Sequence, residues 1–126
     1  MESLTAKWCA VFLGKEICAN SLPEILVDAL RYLEGHSTGT LERLSRVTRR
    51  KRNMVSRSRS GLYPGWPDLA DHARPVAPYW YVGTNYSRRD VERILRLAGR
   101  AAGSSFMFIE LKGRDACELP PLLSLL

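Results

Sequence analysis

The chain has 126 residues, 45% of them hydrophobic and 25% charged, and a formal net charge of +6 at pH 7. That is the size and make-up of one domain with its own core, and it excludes a chain disordered throughout. No apolar run approaches the roughly 20 residues that span a bilayer, because Lys15, Glu16, Glu24 and Asp28 interrupt the longest ones.

Residues 8–19 read as a β-hairpin, with Gly14 expected at the first central position of a two-residue turn. A helix over about 21–34 follows, with Ser21 and Glu24 as a capping box, Pro23 tolerated in the first turn and Gly35 as its stop. Leu22, Ile25, Leu26, Ala29, Leu30 and Leu33 form its apolar face. A shorter helix capped near Thr40 turns Leu41, Leu44 and Val47 inward. Residues 48–78 read as a basic, Pro-rich loop with one short strand around Asn53–Val55. Tyr79-Trp80-Tyr81-Val82 has the composition of a strand. Ser87 and Asp90 cap a helix over 88–102, whose inward side is Val91, Ile94, Leu95, Ala98 and Ala101 and which Gly103 ends. A strand over 106–111 and an apolar tail from about 113 complete the chain. The expectation is one α+β domain spanning 1–126. Its small antiparallel sheet would join the N-terminal hairpin, the 79–82 strand and the 106–111 strand, packed by two or three helices.

Eight of the 19 basic residues, and none of the 13 acidic ones, fall between Arg43 and Arg59: Arg43, Arg46, Arg49, Arg50, Lys51, Arg52, Arg57 and Arg59. Positive charge at this density is tolerable when solvated or when a polyanion meets it. Guanidinium forks and the interleaved Ser56, Ser58 and Ser60 suit phosphate oxygens. Arg89, Arg93, Arg96 and Arg100 make a second basic stripe on the 88–102 helix. Asn85, between the aromatic strand and the capped helix, can offer donor and acceptor to a base edge, or can simply make the turn.

The order of helix, Arg-Lys-Arg segment, Pro-rich loop and Pro78-Tyr79-Trp80-Tyr81-Val82-Gly83-Thr84-Asn85-Tyr86-Ser87 before a helix resembles the C-terminal DNA-binding domain of the SeqA family, over roughly residues 22–103. That family, the negative modulators of replication initiation, binds methylated or hemimethylated GATC sites through two loops. The resemblance matches Arg49, Arg50, Lys51, Arg52 and Asn53 to the first loop and Asn85 to the second. Ser87 stands where the family has a second asparagine, and the hairpin replaces its N-terminal oligomerisation region.

The expected DNA-binding residues are therefore Arg49, Arg50, Lys51, Arg52, Asn53, Arg57, Arg59, Asn85, Ser87, Arg88 and Arg89. Duplex DNA is the expected partner, with a homo-oligomer left open, no membrane, and no cofactor, metal or catalytic residue. Met1-Glu2 opens without the n-region of a secretory signal, and Cys9, Cys18 and Cys117 form no CxxC pair, so reduced thiols in the cytoplasm are expected. Two other readings stay open. Pro67-Asp68 with Glu110-Leu111-Lys112 has the residue types of a metal-dependent PD-(D/E)xK nuclease. A protein-interaction module whose basic face meets an acidic partner is the third.

Overall fold

The computed structural model describes residues 7–47, 54–59, 62, 73–83 and 86–113. The fold is α+β, with strands β1 (Trp8–Phe12), β2 (Lys15–Ala19), β3 (Val55–Ser56), β4 (Ala73–Ala77), β5 (Trp80–Gly83) and β6 (Phe108–Gly113). Its helices are α1 (Leu22–His36), α2 (Thr40–Ser45) and α3 (Arg88–Ala102), and a 3-10 turn over Ser104–Phe106 leads into β6. No helix among the described residues is long and apolar enough to cross a membrane.

The strands form two three-stranded antiparallel sheets rather than the single expected one: β2-β1-β6 and β3-β5-β4. The aromatic strand thus pairs away from the hairpin, with β4, a strand hidden in the expected loop. Two prolines near it argue locally against a strand, yet β4 is an edge, where a missing N–H is harmless. The loop expected over 48–78 is interrupted there, and its other strand lies at Val55–Ser56. Tyr79, expected to open β5, instead makes the β4–β5 turn with φ +66°. In the hairpin Leu13 and Gly14 are the two turn residues between the paired Phe12 and Lys15, and positive φ is confined to Gly14, at +80°. Gly14 therefore takes the second central position, as a type II turn requires, and not the first.

α1 starts as the capping residues imply: the Glu24 amide donates to Ser21 Oγ at 3.3 Å. It runs on through Gly35 because its end is set by a tertiary contact. The Ser37 hydroxyl donates to the Ala102 carbonyl at 2.8 Å, while the Ser37 amide donates to the Leu33 carbonyl. Ile25, Leu26, Ala29, Leu30 and Leu33 are buried, and so is Val27, because α1 packs against β1, β2, β4 and α3 and so has little free surface. Burying each larger side chain contributes about 1.5–3 kcal/mol. α2 has Gly39, with φ +96°, at its N-cap and borrows its cap from α1, the Glu34 carboxylate accepting from the Gly39 and Leu41 amides at 3.1 and 2.9 Å. α3 spans the expected residues, with the Asp90 amide donating to Ser87 Oγ at 3.2 Å and Ala102, not Ala101, fully inward.

β1 is the middle of the first sheet. Ala10 and Phe12 turn to the helices, where Phe12 meets Phe108 edge-on at 5.5 Å, and Cys9 and Val11 turn outward. Pairing of β1 with β6 slips after Val11, so Ile109 is an extra residue. That bulge leaves Ile109 and Glu110 both exposed. Cys9 and Cys18 are direct partners on β1 and β2, with Cα atoms 4.0 Å apart, and are joined by a disulfide where reduced, packed thiols were expected. Opposed residues at a non-hydrogen-bonded pair lie close enough for this bond.

Candidate nucleic-acid interface

Of the eight clustered cations, four are described, and each is tied into the fold. Arg43 Nε donates to the Ala101 carbonyl at 2.7 Å and Nη2 to Ser37 Oγ at 3.3 Å, so this guanidinium caps the C-terminal end of α3. Arg46 and Arg57 share one carboxylate, Glu42, at 3.1 and 3.2 Å. The Arg57 and Arg46 hydrogen bonds, in that order, hold the Glu42 carboxyl below the usual carboxylate range.

Arg57 and Arg59 follow β3 and lie over the aromatic side chains of β5. The Arg57 guanidinium sits 4.3 Å from the Trp80 ring centre and that of Arg59 5.0 Å from the Tyr81 ring centre. Arg59 Nη1 also donates to the Ala73 carbonyl at 3.1 Å. Contact with a ring holds a guanidinium by cation–π attraction and leaves its remaining N–H groups able to donate. Arg74 is exposed on β4, and Tyr79 at the β4–β5 turn is 78% exposed. Neither was singled out in the sequence as a binding residue. The alternation of exposed Arg and aromatic side chains around β5 is the signal that could have found them.

The N-terminus of α3 gathers Ser87, Arg88 and Arg89. Ser87 is occupied as the cap but keeps its hydroxyl proton to donate. Arg88 is exposed but already engaged: Nη2 donates to the Leu111 carbonyl at 2.9 Å, Nε lies 3.6 Å from Glu92, and the group rests 5.3 Å from the centre of the Trp8 ring. Arg89 is exposed. It opens the stripe Arg89, Arg93, Arg96 and Arg100, which ends at a groove of about 430 Å³ lined by Arg96, Arg100, Gly103, Ser104, Met107 and Phe108. α3 packs on α1, α2 and β6, whereas the second sheet packs on α1 through β4 and on α2 through β3. The two basic groups are thus carried by different parts of the molecule.

Arg49, Arg50, Lys51, Arg52, Asn53 and Asn85 lie outside the described residues, as does Asp68 of the nuclease motif. Of the nuclease motif, Glu110 and Lys112 are exposed on β6, and Lys112 Nζ pairs with Glu16 at 3.3 Å. His36 ends α1, with Nδ1 3.0 Å from the Tyr32 carbonyl. Comparison with protein-family models, with curated proteins and with solved structures finds no match.

Proposed function

We propose that the chain binds duplex DNA, gripping phosphates with Arg49 to Arg52, Arg57, Arg59 and Arg89 and reading a base through Asn85. The observation that supports it best is the pair of guanidinium–ring contacts on β5. They anchor two arginines that follow Arg49–Arg52 closely in sequence. Such groups supply affinity and register rather than sequence choice, which falls to an amide such as that of Asn85. The resemblance to the SeqA family extends the proposal to methylated or hemimethylated GATC duplexes, to control of replication, to self-association on DNA and to the cytoplasm. In that compartment the Cys9–Cys18 pair would be held as thiols.

Fluorescence anisotropy with plain, methylated and hemimethylated duplexes across a salt series tests this. If about five of these seven cations meet phosphates at once, log affinity is expected to fall with log salt at a slope of about −4 to −5. Replacing Arg57 and Arg59 together by alanine should weaken all duplexes alike and make the slope shallower by about two. Asn85→Ala should cost roughly 5- to 150-fold in preference for the specific site and leave the slope unchanged. A slope near zero in the unaltered protein overturns the proposal.

A further inference from the structure

The outer face of the first sheet carries chemistry that DNA binding does not use. Glu16 and Cys18 alternate outward on β2, Cys9 does so on β1 opposite Cys18, and Lys112 on β6 is the pairing neighbour of Cys9 on its other side. Lys112 reaches diagonally across β1 to Glu16, 3.3 Å away. One ligand atom from each of Cys9, Cys18 and Glu16 lies within 4.8 Å of the others.

We propose that reduction of the Cys9–Cys18 disulfide converts this cluster into a three-ligand site for a thiophilic divalent cation such as zinc. A tetrahedral zinc with sulfur at about 2.3 Å and oxygen at about 2.0 Å needs S···S near 3.8 Å and S···O near 3.5 Å, a scale that the three ligand atoms, all within 4.8 Å of one another, already share. β1 is held by β2 on one side and β6 on the other, so strand pairing as well as the disulfide fixes the backbone carrying Cys9. The charges close as well. Two thiolates, one carboxylate, the Lys112 ammonium and a divalent cation sum to zero. Thiolate donors select a soft or borderline cation over magnesium or calcium. Cys9 is buried, but Cys18 is half-buried and Glu16 exposed, so the cation reaches the site from solvent and keeps a water as fourth ligand. A dithiol reductant supplies the two electrons and two protons that open the S–S bond and itself becomes a disulfide. Metal binding then releases the two thiol protons to solvent.

The test uses the full chain carrying Cys117→Ser, so that only the two hairpin thiols remain. The phosphine-reduced protein is titrated with Cd²⁺, read by thiolate-to-cadmium charge-transfer absorbance, and then competed with Zn²⁺. One equivalent should bind to the reduced protein and none at this site to the oxidised protein. Adding Cys18→Ser should abolish the absorbance. Adding Glu16→Gln, at an exposed position that still permits the disulfide, should weaken zinc by at least the roughly 10-fold that loss of a supporting group costs. No charge-transfer band in the reduced protein, or zinc bound as tightly by the Glu16→Gln or Cys18→Ser variant, overturns the proposal.

Discussion

Replacing Gly99 by alanine sets two opposing terms against each other. Alanine in a helix interior is favoured over glycine by about 1 kcal/mol. A Cβ at Gly99, however, would stand 2.6 Å from the Phe106 carbonyl oxygen and 3.1 Å from the Phe108 nitrogen. These are backbone atoms of the 3-10 turn and β6, and moving them displaces Phe108 from its contact with Phe12. Overpacking of this kind costs about 1–3 kcal/mol, and backbone contact places it at the upper end. The expected net effect is a loss of about 1–2 kcal/mol, or roughly 4–8 °C in Tm at this chain length. Gly35 is the matched control, since a Cβ there meets nothing within 4 Å. Gly35→Ala should gain about 0.5–1 kcal/mol and raise Tm by roughly 2–4 °C. Thermal melts of the two variants in one buffer decide it. If Gly99→Ala rises in parallel with Gly35→Ala, the close approach of β6 to α3 is not a packing constraint and the reasoning fails.

Arg43→Ala removes the cap on α3 and should lower stability by about 1–2 kcal/mol in urea melts while leaving the salt slope of DNA binding unchanged. A shallower slope would move Arg43 from the fold to the interface. Glu42 has its folded pKa depressed by Arg57 and Arg46. Its contribution is present above the unfolded pKa and is lost as pH falls through the folded one. Glu42→Gln should accordingly flatten part of the acid limb of a stability-versus-pH curve. The same change should strengthen DNA binding by freeing Arg57, and anisotropy showing weaker binding would refute that coupling.

Local chemistry made α3 legible to the residue, because both its ends are set by neighbours in sequence, Ser87 and Gly103. The end of α1 was not legible. Gly35 is a sound local stop, but the contact of Ser37 with Ala102, 65 residues away, decides the matter. Strand existence was mostly readable and strand partnership was not, since nothing local tells β5 to pair with β4 rather than with the hairpin. For the candidate interface, charge density was visible but its commitments were not. Glu42 with Arg46 is an ordinary helical pair at i, i+4, whereas the pair with Arg57 depends on β3 folding back beside α2. The disulfide had a signal that went unused. With Leu13-Gly14 as the turn, counting outward from Phe12 and Lys15 sets Cys9 opposite Cys18.

Edge strands invite addition of a further strand, and β4 is built to refuse it. The Pro75 carbonyl accepts Arg31 Nη2 at 3.1 Å. In an extended strand a residue's nitrogen and oxygen point to the same side, so Pro75 faces away from β5. An incoming chain would find no donor there and an acceptor already engaged. The bulge at Val76, which sends that side chain into the core, further breaks the hydrogen-bond rhythm that a template needs. Growth of the second sheet by β4-to-β4 contact between copies is therefore blocked by the covalent structure of one residue and the reach of another. Self-association, where it occurs, must use side-chain surfaces or a different strand edge.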